Sequence, residues 1–186
     1  EHNIDHLSQF GIKNFNITVR YLGEQIESYF GDGKTKNINI NYIREDNPLG
    51  TIGALAKIEK YQHNSVLLMN ADIFTNIDLE EFYNEFIESK ADMAVASIPY
   101  VVDIPYAVLD LEVDKIKGFK EKPTYTFYSN AGIYLIRTEH IKLIPQNSRF
   151  DATDFIQKLI DLNKKVIRFP ILGYWVDIGK PEDFQK

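Results

Sequence analysis

The chain has 186 residues, of which 44% are hydrophobic, enough to enclose a substantial core within a single domain. Its 27 acidic residues exceed its 21 basic ones for a formal charge of −6, and no stripe of Lys and Arg argues for nucleic acid as a partner. No apolar run reaches the roughly 18–20 residues that cross a bilayer. Glu1-His2-Asn3 carries no signal-peptide pattern, and the absence of cysteine removes disulfides and thiolate metal sites, so the cytoplasm is the expected compartment and no membrane partner is expected.

In chain order, Ile4, Leu7 and Phe10 fall on helical spacing ahead of Gly11, which predicts a first helix ended by a glycine. Residues 15–19 alternate like a strand. Residues 22–30 read as a second helix closed by Gly31-Asp32-Gly33, and residues 38–43 alternate again. A third helix is expected over residues 51–61. It leads into Ser65-Val66-Leu67-Leu68-Met69, a continuous apolar run that suits a central strand buried on both faces. After a helix over residues 78–89 the rhythm changes, with strand-like pieces at 93–98, 107–113, 116–122 and 132–136. A helix follows at 155–162, then a strand at 166–169, and Pro181 opens a final helix. Strands alternating with helices of about ten residues predict one α/β domain, a Rossmann-like, mostly parallel sheet with helices on both faces. The later strands are expected to cover a ligand on one side.

Such folds generally begin with a strand and a phosphate-binding loop, whereas this sequence opens on a helix, so the first strand and loop are expected to lie outside it. The loss of that strand would leave a sheet edge beside residues 15–19, a route to self-association as a homo-oligomer. Neither GxGxxG nor GxxxxGK[ST] occurs, which disfavours an ordinary nicotinamide or P-loop site.

Four segments carry candidate chemistry. Asn70-Ala71-Asp72 follows the apolar strand and sets a carboxylate at its carboxyl end, where ligands bind in open α/β sheets. An Asp there suits Mg²⁺, a hard cation that prefers oxygen, and equally suits a turn or helix cap. Tyr174-Trp175-Val176-Asp177-Ile178-Gly179 repeats the arrangement, so that either Asp72 and Asp177 share one metal or Asp177 caps the helix that begins near Pro181. Pro48-Leu49-Gly50-Thr51-Ile52-Gly53 allows close approach of a nucleotide to the backbone at Gly50 and Thr51, or else forms a tight turn in which Gly53 packs on the sheet. Lys120-Glu121-Lys122-Pro123 ends a strand. Lys122 there serves as a point charge for a phosphate, while exposed Lys and Glu at an edge are ordinary. His2 and His6 lack metal-ligand context and are expected on the surface.

Taken together and in order, these segments, with Gly118-Phe119-Lys120-Glu121-Lys122-Pro123 and Asn130-Ala131-Gly132-Ile133-Tyr134, resemble the sugar-1-phosphate nucleotidyltransferase family along nearly the whole chain. The resemblance implies transfer of a nucleotidyl group from a nucleoside triphosphate to a sugar 1-phosphate, with Mg²⁺ on Asp72 and Asp177. It implies further that Gly50 lies near the base, that Glu121 and Lys122 hold the sugar phosphate, and that Asn130 and Gly132 line the sugar pocket. Where the family commonly has Tyr-Gly in its sugar-binding strand, this chain has Tyr106-Ala107, which brings a methyl group toward the hexose. The family's glycine-rich basic loop, which binds the triphosphate, belongs ahead of the first helix and is not in the sequence. The details are most like a branch in which regulatory modules precede this domain in a longer chain, with a guanine nucleotide weakly favoured. The competing expectation is a non-catalytic sugar-nucleotide sensor or regulatory domain that keeps the pocket without the triphosphate loop.

Overall fold

The computed structural model describes residues 1–179, so the helix expected from Pro181 onward lies outside the described residues. Among the described residues four α-helices and ten strands follow one another: α1 (His2–Gln9), β1 (Asn14–Val19), α2 (Gly23–Phe30), β2 (Asn39–Arg44), β3 (Ser65–Met69), β4 (Ile73–Thr75), α3 (Leu79–Glu88), β5 (Met93–Asp103), β6 (Val108–Glu112), β7 (Lys115–Lys120), β8 (Thr124–Arg137), α4 (Ala152–Asp161), β9 (Val166–Pro170) and β10 (Trp175–Asp177).

The main sheet has the order β3-β8-β5-β9. β8 pairs antiparallel with both β3 and β5, and β5 pairs parallel with β9, so β3, β5 and β9 run one way and β8 runs against them. β1 and β2 form a separate parallel pair. β4 joins β10, and β6 joins β7, in two small antiparallel sheets. The α/β expectation therefore holds, with one reversed strand inside the sheet.

Helices cover both faces of the main sheet because the side chains of β8 alternate. Ile133 and Leu135 enter one core with Phe82 and Phe86 of α3 and Ile4 and Leu7 of α1. Tyr134 and Ile136 enter the other with Ile52 and with Phe155 and Leu159 of α4. Each of the larger helices is started by an aspartate. The Asp78 carboxylate accepts from the Glu81 amide at 2.9 Å, and Asp151 and Asp154 form a reciprocal capping box at the head of α4.

Two expectations are corrected. The helix expected over residues 51–61 is only a 3₁₀ turn, Gly53–Lys57. Gly53 packs closely on Leu49 and on the backbone of Ser148 and Phe150 rather than on the sheet. β3, expected to be buried on both faces, is half-buried along its whole length. It pairs only with β8, so among the described residues its other edge has no strand to cover it.

Among the described residues, no helix is long and apolar enough to cross a membrane. Phe82→Ala, at a fully buried position in α3, is expected to lower the unfolding free energy by about 3–5 kcal/mol in urea denaturation. Tyr83→Ala on the exposed side of the same helix should change it by under about 0.5 kcal/mol.

Candidate active site at the carboxyl end of the sheet

The connection from β3 to β4 is three residues long, Asn70-Ala71-Asp72, and each is held by a different part of the chain. The Asn70 amide donates to the Gly132 carbonyl at 2.9 Å, and its side chain lies over Gly132, whose φ of +73° and lack of a β-carbon leave it room. Asn3 Nδ2 donates to the Ala71 carbonyl at 3.2 Å. The Ile178 amide donates to the Asp72 carbonyl at 2.8 Å.

That last bond extends the β4–β10 pairing, in which Asp177 stands opposite Ile73. The pairing brings the two expected metal carboxylates together. A β-carbon on Gly179 would sit 2.8 Å from Asp72 Oδ2 and 3.0 Å from Asp177 Oδ1, so both carboxylates flank one small space kept open by a glycine. Asp177 Oδ1 also accepts from the Gly179 amide at 2.8 Å, which fixes its rotamer.

Asn130 and Gly132 adjoin this cluster through β8. Asn130 Oδ1 accepts from the Gly132 amide at 2.9 Å, and its Nδ2 donates to the buried Tyr134 hydroxyl at 2.8 Å. Burial raises the Tyr134 phenol above its ordinary range, so it stays protonated. Trp175 Nε1 donates to the Ala131 carbonyl at 2.9 Å and clamps β10 to the same strand.

The remaining candidates are placed otherwise. Thr51 and the head of α4 exchange bonds: the Thr51 amide donates to Asp151 Oδ1 at 3.1 Å, and the Ala152 amide donates to Thr51 Oγ1 at 2.7 Å. Gly50, at φ +77°, lies against Phe150 and Asp151, so its Cβ side is filled by protein. Tyr106 and Ala107 are exposed in the connection into β6. Glu121 and Lys122 occupy the turn between β7 and β8, both exposed and without an ion pair among the described residues. Lys122 adopts a φ of +43°, a conformation a lysine rarely takes.

Sequence reasoning missed several supports of the site. Thr75 Oγ1 is buried and donates to the Tyr174 carbonyl at 2.9 Å, and Asn76 Oδ1 accepts from the Tyr174 amide at 2.8 Å. Both lie beside a short strand whose partner is about a hundred residues away, a pairing that no local signal reveals. His2 is exposed as expected, yet its ring packs 4.0 Å from Phe74 and 6.2 Å from His6, and Phe74 stacks on Tyr174 at 5.3 Å. This run of rings binds α1 to the β4–β10 pair.

Asp92, Glu139 and the buried His140 form another cluster of potential ligands, at the other end of the sheet. Asp92 precedes β5, and Arg137, its neighbour there, pairs with Ser65 at the start of β3. His140 Nε2 donates to Asp92 Oδ1 at 2.5 Å, and the Lys165 amide donates to Asp92 Oδ2 at 2.8 Å, so both carboxylate oxygens are engaged in joining the starts of β5 and β9.

Asp72 and Asp177 thus stand together at the carboxyl end of a Rossmann-like sheet, the place where ligands bind in open α/β folds. The profile of the nucleotidyl transferase family matches residues 1–186, and the chain belongs to that family. It is 31% identical over 184 residues to the D-glycero-α-D-manno-heptose 1-phosphate guanylyltransferase of Aneurinibacillus thermoaerophilus, covering 97% of this chain and 79% of that protein. It is 29% identical to the mannose-1-phosphate guanylyltransferase of Mycobacterium tuberculosis, covering 98% of this chain and 53% of that one. The chain thus spans about half the length of some relatives and most of others. Among solved structures, HddC of Yersinia pseudotuberculosis shares the fold with a TM-score of 0.73 at 22% identity, covering 98% of this chain and 80% of that one.

Burial alone would push the Asp92 carboxyl up, but the Lys165 amide and His140 outweigh it and hold it below the usual carboxylate range. A depressed carboxyl contributes stability above its unfolded value, roughly pH 4, and loses it as pH falls through the folded value. Thermal melts between neutral pH and pH 3 should therefore show a shallower acid decline for Asp92→Asn than for the parent chain. Equal slopes would remove Asp92 from the acid response.

Proposed function

We propose that this domain transfers a nucleotidyl group from a nucleoside triphosphate to a sugar 1-phosphate, giving a nucleoside diphosphate sugar and pyrophosphate. The observation that carries the reading is the convergence of Asp72 and Asp177 on the space beside Gly179. Two carboxylates offering oxygen donors across a gap that a methyl group would fill suit Mg²⁺, which takes one or two carboxylates and completes its shell with water and phosphate oxygens. When bound there, the cation would neutralise charge on the phosphates in the transition state.

The protein's own residues then align the two substrates. Asn70, Asn130 and Gly132 shape the floor next to the carboxylates, and Asn130 is held by Tyr134 so that its amide is oriented before substrate arrives. Lys122, with Glu121 beside it, supplies a mobile positive charge for the sugar phosphate. The Gly50-Thr51 turn borders the nucleotide from the α4 side. Neither the nucleotide nor the sugar-phosphate oxygen that attacks it requires a covalent intermediate on the protein.

The similarity to heptose and mannose 1-phosphate guanylyltransferases supports a guanine nucleotide and a manno-configured sugar phosphate. The separate β1–β2 pair and the half-buried, one-sided β3 share a core through Phe15, Ile40 and Leu67. This supports a further strand between them, carrying the loop that would bind the triphosphate. The sensor reading has no observation of its own in the geometry, and a carboxylate pair is more than a sugar-nucleotide binder needs.

Pyrophosphate release from GTP and α-D-mannose 1-phosphate or a heptose analogue, with Mg²⁺, is the test. Asp72→Asn and Asp177→Asn are each expected to abolish turnover while leaving the circular dichroism spectrum intact. A chain extended upstream is expected to turn over at least about 100-fold faster than the 186-residue chain, since losing even one preorganised donor costs about that much. Turnover that survives Asp177→Asn would sink the assignment. Gly179→Ala should weaken Mg²⁺ binding in calorimetry, because its β-carbon would enter the gap. Lys122→Ala should weaken sugar-phosphate binding by about 10- to 100-fold, the worth of a hydrogen bond to a charged group, and an unchanged affinity would return Lys122 to the solvated edge.

A further inference from the structure

Arg168 of β9 carries a charge that the fold does not neutralise. Arg44 pairs with Glu27 and Arg149 with Asp151, whereas among the described residues no carboxylate stands within ion-pair distance of Arg168. Its guanidinium is nevertheless held in one place. Cζ lies 4.2 Å from the centre of the Tyr128 ring in β8, and Nη1 donates to Ser97 Oγ in β5 at 3.4 Å. Ser97 is buried, and its hydroxyl proton is committed to the Phe169 carbonyl at 3.3 Å, which leaves its oxygen to accept from the arginine. The ring sets the plane of the guanidinium, and the serine sets its rotation within that plane.

The fork stands on the same side of the sheet as Asn130. In paired strands, residues directly opposite one another share a face. Arg168 stands opposite Val95, which packs with Tyr134, and Ser97 stands opposite Asn130, whose amide is bonded to the Tyr134 hydroxyl. These side chains therefore share the face that α4 covers. In the order β3-β8-β5-β9, Asp72 follows β3, Asn130 lies on β8, and the guanidinium lies between Ser97 of β5 and Tyr128 of β8. It stands about two strand spacings across the sheet from the end of β3, on the order of 10 Å, with Asn130 between.

We propose that Arg168, braced by Tyr128 and Ser97, is a specificity-determining residue that donates to the hydroxyl oxygen on the exocyclic carbon of the sugar, at the end remote from its phosphate. The proposal rests on the nucleotidyl-transfer reading above. A sugar phosphate whose phosphate meets Asp72 and Asp177 through a cation, and whose ring crosses Asn130, presents that end to Arg168. The chemistry fits as well. A guanidinium is a donor only, and after bonding Ser97 it keeps its remaining N–H groups for acceptors such as sugar hydroxyls. No carboxylate competes for them, and a planar fork already stacked on a ring loses little freedom when it engages a ligand.

Calorimetry of the chain with Mg²⁺ compares α-D-mannose 1-phosphate with 6-deoxy-α-D-mannose 1-phosphate, which lacks only the oxygen in question. The parent chain is expected to bind the first at least about five-fold more tightly, the worth of a hydrogen bond. Arg168→Met keeps the apolar stem and removes the donors. It should weaken α-D-mannose 1-phosphate by about ten-fold and the deoxy sugar by less than about two-fold, so that the preference disappears. Tyr128→Leu removes the brace and leaves the arginine in place, and should lower the preference in the same sense. A merely structural arginine would weaken both sugars alike, and that outcome overturns the proposal, as does an unchanged preference in Arg168→Met. A parent chain that binds neither sugar phosphate would sink the nucleotidyl-transfer reading together with this one. A parent that binds both without preference sinks this one alone.

Discussion

The candidate site depends on how three residues, 70–72, are held between two glycines far away in the chain. Gly132 receives the Asn70 side chain and Gly179 faces the Asp72 carboxylate. Ala71 is tied between them to α1 through Asn3. A β-carbon at either glycine would displace one of the polar side chains, so the connection is set by backbone shape at remote positions rather than by its own propensity. Trp175, Thr75 and Asn76 then fix β10 against β4, and the second carboxylate follows from that register. A slip of one residue in the pairing would turn Asp177 to the other face.

The two ends of the sheet use the same side chains for different ends. At the amino ends of β5 and β9, Asp92 is saturated by His140 and the Lys165 amide. Its charge is used to hold strands together, and a metal there would have to displace those bonds. At the carboxyl end, Asp72 and Asp177 flank one gap, and among the described residues one carboxylate oxygen of Asp177 is engaged by a backbone amide. Both clusters look alike as a set of residue types. What separates them is which lone pairs remain for a ligand.

Much of this was legible in the sequence because it rests on local signals. Ile4 and Leu7 announce α1, and alternation announces β1 and β2. Asp72 and Asp177 were legible because each directly follows or ends an apolar run, and because five motifs occur in order. The helix expected over residues 51–61 failed in a segment held by tertiary contact: Gly50 and Gly53 lie against residues 148–151, and the segment forms the short 3₁₀ turn Gly53–Lys57. The burial of β3 was misjudged for a related reason, since an apolar run reports the burial a strand is suited to and not which of its neighbours are present. The Thr51–Asp151 exchange and the Thr75–Tyr174 clamp join positions about a hundred residues apart, and no periodicity carries that information.

The β6–β7 hairpin leads directly into the turn that carries two of the candidate substrate groups. β7 ends at Lys120, and the next two residues are Glu121 and Lys122, the groups read as holding the sugar phosphate. They stand in a turn anchored at one point, where the Ile104 amide donates to the Pro123 carbonyl at 3.1 Å. A long, flexible lysine in such a turn loses rotamer and backbone freedom when it closes on a phosphate, and that loss subtracts from affinity.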